Sequence, residues 1–144
     1  MTRLFSLALC ALIVFAIGGL NACGGRDKES CPPGTTQQEK MEKGFRLVGC
    51  MDSEGKAQGK GTGWHENGQK IYDGRFRDDM PHGKWTVWEP NGKKTGVLYF
   101  RDGKKHGKET LFHDNGKTLR EGENRDGVKD GEWTVWYENG KKER

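Results

Sequence analysis

The stretch Gly83-Lys84-Trp85-Thr86-Val87-Trp88-Glu89-Pro90-Asn91-Gly92-Lys93-Lys94 runs β-forming residues into an Asn-Gly dipeptide, and its pattern returns along the chain. Asn-Gly occurs at Asn67-Gly68, Asn91-Gly92, Asn115-Gly116 and Asn139-Gly140, 24 residues apart each time. The same step aligns Gly59, Gly83, Gly107 and Gly131, then Thr62, Thr86, Thr110 and Thr134, then Trp64, Trp88, Phe112 and Trp136. A fixed period of this length marks a repeat architecture, in which each unit buries its surface against its neighbours.

Asn-Gly between two β-type runs is the strongest short hairpin signal, because a two-residue type I′ turn needs positive φ at both central positions. With that turn, Trp64 pairs with Ile71, Trp88 with Thr95 and Phe112 with Leu119. Such cross-strand pairs contribute roughly 0.2–1 kcal/mol each. The expected fold is all-β: an elongated, single-layer antiparallel sheet of repeated hairpins, following an N-terminal signal helix. The hairpin windows are Gly59–Phe76, Gly83–Phe100, Gly107–Asn124 and Gly131–Arg144, joined by links at 77–82, 101–106 and 125–130. Stepping back 24 residues from Gly68, Glu66 and Ile71 reaches Gly44, Glu42 and Leu47, so the array starts half a repeat early, with Phe45–Met51 as its first strand.

Only 31% of the chain is hydrophobic, and much of that lies in the first 20 residues, so no large core is available. Glycine, at 23 residues, sits at fixed positions as turn residues do and not as a disordered tract has it. The formal charge of +4 is spread over alternating signs; nucleic-acid binding needs concentrated positive potential and is not expected.

Residues 1–22 read as a lipoprotein signal. Arg3 supplies the positive start, and Leu4 to Ile17 is free of charge but short of the roughly 20 apolar residues of a membrane span. Leu20-Asn21-Ala22-Cys23 resembles a lipobox, which implies covalent diacylglycerol and an N-acyl chain (palmitate) on Cys23. A plain secretory cleavage after Ala22 wants a small residue at Leu20's place. Residues 23–30 form a polar tether, 31–51 a cysteine-bounded cap and first strand, and 52–144 the repeats. Gly24 after the lipidated cysteine implies outer-membrane sorting in a Gram-negative cell. Cys31 and Cys50 remain as an even pair, expected to form a disulfide in an exported protein.

The array resembles the variant MORN repeat, found in bacterial proteins labelled YwqK-family antitoxins. The resemblance rests on Gly83–Lys94, Arg101–Lys108 and Gly131–Lys142. It implies a twisted sheet of successive hairpins that serves as an interaction or membrane-associated module and not as an enzyme.

No catalytic or cofactor motif competes with that reading. Gly103 to Lys108 has three residues between its glycines where a Walker loop needs four. His82 and His106 share one column, two strands or about 10 Å apart, too far to share a zinc ion easily. Neither Asp78-Asp79 nor Asp126–Asp130 has the ligand alternation of a calcium loop. The column Gly61, Trp85, Glu109, Trp133 varies in size and charge, so partner contacts are assigned there and nearby, to Trp85, Trp133, Val87, Val135 and Tyr137. The expected partner is another envelope protein. Peptidoglycan or another glycan stacking on tryptophans is the alternative, and an antitoxin role is the one the family label implies.

Overall fold

The computed structural model describes residues 30–42 and 44–143. The signal helix, Cys23 and most of the tether lie outside the described residues. The rest is one open antiparallel sheet of ten strands: β1 (Thr36–Glu42), β2 (Phe45–Met51), β3 (Ala57–His65), β4 (Lys70–Arg77), β5 (Met80–Trp88), β6 (Lys94–Arg101), β7 (Lys104–Lys105), β8 (Gly107–Phe112), β9 (Thr118–Arg125) and β10 (Val128–Val135). Each strand pairs with its sequence neighbours; β7 and β8 both pair with β6, as one strand interrupted at His106.

The Asn-Gly turns differ from the expected ones. Asn67, Asn91, Asn115 and Asn139 do not have positive φ, whereas Gly68, Gly92, Gly116 and Gly140 do, at 80–87°. Gly68 N donates to His65 O (2.9 Å) and His65 N to Gln69 O (2.8 Å), so the loop holds three residues, a type I turn closed by a glycine bulge. The bulge absorbs one residue, and Trp64 pairs with Lys70, Trp88 with Lys94 and Phe112 with Thr118 in place of Ile71, Thr95 and Leu119. Asparagine is there for its amide. Its Oδ1 accepts from the backbone N–H two residues on, at Gln69, Lys93, Lys117 and Lys141 (2.8–3.0 Å).

The type I′ geometry sits at the other end of the sheet, inside the expected links. Asp78-Asp79, Asp102-Gly103 and Asp126-Gly127 have positive φ at both positions and join strands whose last pairs are Arg77–Met80, Arg101–Lys104 and Arg125–Val128. The links are therefore tight hairpins, and the chain is a continuous meander. Asp79, Gly103 and Gly127 donate N–H to Ala57, Pro81 and Lys105 carbonyls, each 22 residues earlier (2.8–3.1 Å).

The glycine column 59, 83, 107, 131 marks a second irregularity, with φ of 70–96°. There β5 places residues 83–85 opposite the single Gly74, and β10 places 131–133 opposite Gly122. At the start of the sheet, Thr36–Glu42 is a strand where the sequence shows no period. Its seven residues pair with β2, and the Cys31–Cys50 disulfide (Cα–Cα 5.6 Å) ties the preceding turn to β2. Pro32 seals this cap, because a Cβ on Gly59 would come within 2.7 Å of its ring.

Candidate interaction surface

Residues opposite one another in an antiparallel ladder project to the same side of the sheet. One side carries the regular columns. Arg46, Trp64, Lys70, Trp88, Lys94 and Phe112 follow one another across successive strands, cation alternating with ring. The cations lie over the rings: Arg46 on Trp64 at 4.8 Å, Lys70 on Trp88 at 6.0 Å, Lys94 on Phe112 at 4.6 Å, and Lys142 on Trp136 at 5.8 Å. Each ring is half-buried and has a cation over its face. Beside this row, Thr62, Thr86, Thr110 and Thr134 alternate with Asp73, Val97 and Glu121. The aromatic stripe is thus an internally satisfied ladder.

The other side carries the variable column, and the core is here. Trp85 is only 8% exposed. Its indole lies flat over Gly74, where a Cβ would sit 2.3 Å from the ring, and its N–H donates to Arg75 O at 3.1 Å. Tyr72, Phe76 and Phe100 surround it at ring distances of 5.2, 4.9 and 5.9 Å. Trp85 is accordingly a packing residue and not the exposed contact expected from its column; the bulge that folds it onto Gly74 is the reason.

Two repeats on, Trp133 lies over Gly122 in the same way (2.4 Å to a Cβ), but its surroundings are polar. Arg120 stands 5.5 Å and Lys129 4.6 Å from its ring. Between the two tryptophans, Glu109 is 2% exposed. It accepts from Lys105 Nζ (2.9 Å), Arg120 Nη2 (3.1 Å) and Asn124 Nδ2 (3.0 Å). Burial pushes its carboxyl upward, but these three donors and the Lys105 charge outweigh burial and hold it below the ordinary carboxylate value. Val87 and Val135 are half-buried, and Tyr137 is 51% exposed. The Glu109 cluster went unread in the sequence; its signal was a carboxylate in a column otherwise holding Gly or Trp.

The histidines have local partners. His82 Nδ1 lies 3.3 Å from Asp102 and His106 Nδ1 3.4 Å from Asp126, while Gln58 in the same column donates to Asp78 at 2.6 Å. Arg101 also bonds Asp126 (3.0 Å), which holds that carboxyl below its usual value. Each link joins one repeat to the turn of the next. Among the described residues no three His, Cys, Asp or Glu are gathered as a metal set.

Fold and surface define a repeat protein of stacked β-hairpins with one repetitive and one variable face. Segments 81–102, 105–123 and 129–144 match the family model described as MORN repeat variant, a module generally engaged in protein or membrane interaction. No curated protein matches the chain. The hairpin β3–β4 precedes the matched segments but shares their frame.

Proposed function

We propose that the protein is a lipid-anchored, non-catalytic interaction module of the bacterial cell envelope that binds another protein through the face of Trp85 and Trp133. The observation that carries this reading is the contrast between the faces. Every repeat uses Asn, Gly, Thr and a ring–cation pair to hold the frame, while positions 85, 109 and 133 change from Trp to Glu to Trp on an unchanged backbone. A frame that repeats while one column varies is how solenoid proteins display a binding surface.

Leu20 to Cys23 supports the anchor, and Gly24 supports the outer membrane as its destination in a Gram-negative cell. Acyl chains contribute about 0.8 kcal/mol per buried CH₂, so two or more hold a domain stably. Residues 23–30, fully extended, reach about 28 Å, which keeps the sheet close to the membrane surface.

A photo-crosslinking residue at Val135, activated in intact cells, is expected to capture one reproducible protein. Recovery of random membrane neighbours alone refutes the interaction reading. Cys23→Ala is expected to release the protein into the soluble envelope fraction; unchanged membrane retention refutes the anchor.

A further inference from the structure

The face of Trp85 and Trp133 changes chemistry along its length. Over β3–β6 it shows Gly61, Tyr72, Phe76, Val87, Leu98 and Phe100 around Trp85, with no charged side chain among them. Over β7–β10 it shows Lys105 bonded to Glu109, and Arg120 and Lys129 over the Trp133 ring, with Glu109 as the carboxylate between them. That carboxylate is fully engaged by Lys105, Arg120 and Asn124. Lys129 pairs with no carboxylate among the described residues, and its ammonium rests on the Trp133 ring. Arg120 Nε and Trp133 Nε1 are buried without an acceptor among the described residues, whereas the matching indole N–H of Trp85 has Arg75 O. At the basic end the exposed Lys129 ammonium is therefore a donor that the fold does not use on a carboxylate.

We infer that this face is a bipartite docking surface for an extended segment of a partner protein, whose apolar side chains lie over Tyr72, Leu98 and Phe100 and whose carboxylates meet Lys129 and Arg120. The inference rests on the protein-binding reading and adds the chemistry of the partner. Strand spacing sets the segment's length. From β5 to β10 is four strand steps, about 19 Å, which about six residues of extended chain span. Charge complementarity sets its polarity, because Lys105, the cation opposite Phe100, is already bonded to Glu109, whereas Lys129 has no carboxylate partner among the described residues. A glycan is a poorer occupant. Sugars stack on open ring faces, while Phe76 and Phe100 meet Trp85 edge-on at 88° and 69° and Trp85 is itself buried.

The test uses the full-length chain in detergent and a synthetic peptide with Leu-Phe-Leu at one end and three Glu about six residues further on, followed by titration calorimetry. Binding is expected, weakened about tenfold or more by Lys129→Glu and by changing the three Glu to Gln, and weakened by added salt. Lys129 is exposed, so the variant's melting temperature is expected to match the parent's and to separate lost binding from lost fold. Equal affinity for the Gln peptide, or no effect of Lys129→Glu, overturns the inference. So does retention by phosphatidylglycerol vesicles that Lys129→Glu abolishes, or by purified peptidoglycan, without measurable peptide binding, which would assign the face to lipid or glycan. If Val135 crosslinks one protein in cells and Lys129→Glu leaves that capture unchanged, the bipartite docking alone fails and the interaction reading stands.

Discussion

Asn67 donates its side-chain amide to the carbonyl of Pro90, which lies in the equivalent turn one repeat further along (2.8 Å). Asn115 does the same to Glu138 (2.9 Å). Asn67 and Asn115 therefore each hold their own turn through Oδ1 and the next turn through Nδ2, whereas Asn91 donates Nδ2 to Glu89 in its own turn (3.0 Å). Asn67→Asp keeps the first bond and loses the second, and a loss of about 1 kcal/mol is expected. Asn67→Ala loses both and should cost about twice as much. Urea unfolding of the two variants checks the order.

Gly74 and Gly122 lie beneath Trp85 and Trp133, where a Cβ would meet the ring at 2.3 and 2.4 Å. Their requirement is space and not a left-handed backbone. Gly74→Ala is expected to cost about 1–3 kcal/mol, as overpacking does, and to shift the tryptophan emission as Trp85 lifts into water. Unchanged emission and stability would show that the indole does not lie over Gly74.

Glu109 sets a pH dependence. Its folded pKa is depressed, so its contribution is complete above the unfolded value of about 4.3 and is lost as pH falls through the folded value. Glu39, Asp52 and Asp126 are lowered as well, so the measurement is the difference between the parent and Glu109→Gln. At pH 7 the variant should be less stable by about 1–3 kcal/mol, since Lys105 and Arg120 are each partly exposed and solvent screens them. As pH falls through the depressed folded value the gap should narrow.

Cys31 and Cys50 enclose a short loop, with a sequence separation of 19. In the chain-entropy picture such a bridge contributes about 3 kcal/mol. Reduction, or Cys31→Ser with Cys50→Ser, should lower stability by up to that amount and speed amide exchange in β1 first. Equal exchange with and without reductant would show that β1 is held by its ladder alone.

The meander was legible because its period is written four times, and because glycine and asparagine columns mark chain reversals whatever the detailed turn. The turn class was not. Asn-Gly satisfies the φ demands of a type I′ turn, yet the Asn91 Oδ1 bond to Lys93 N favours a type I turn with glycine in the bulge. Asp102-Gly103 and Asp126-Gly127 take the type I′ form, where the aspartates reach His82 and His106 of the preceding repeat. The face of the core was hidden for a related reason. Trp85 looks like an outward variable position until the three-against-one bulge folds it over Gly74. β1 left no trace because an edge strand held by a ladder and a disulfide needs no apolar alternation.

The carbonyls of Ala57, Pro81 and Lys105 each wait for a donor one hairpin later, and that regularity frees the molecule from any set size. Copying or excising a block of 24 residues leaves each remaining donor facing an acceptor of the same kind. Each added block lengthens the interval between Trp85 and Trp133 by two strands, about 10 Å. Reach is then a matter of gene arithmetic: a lineage can fit a longer or shorter target by changing how many units it encodes, with no new side chain required.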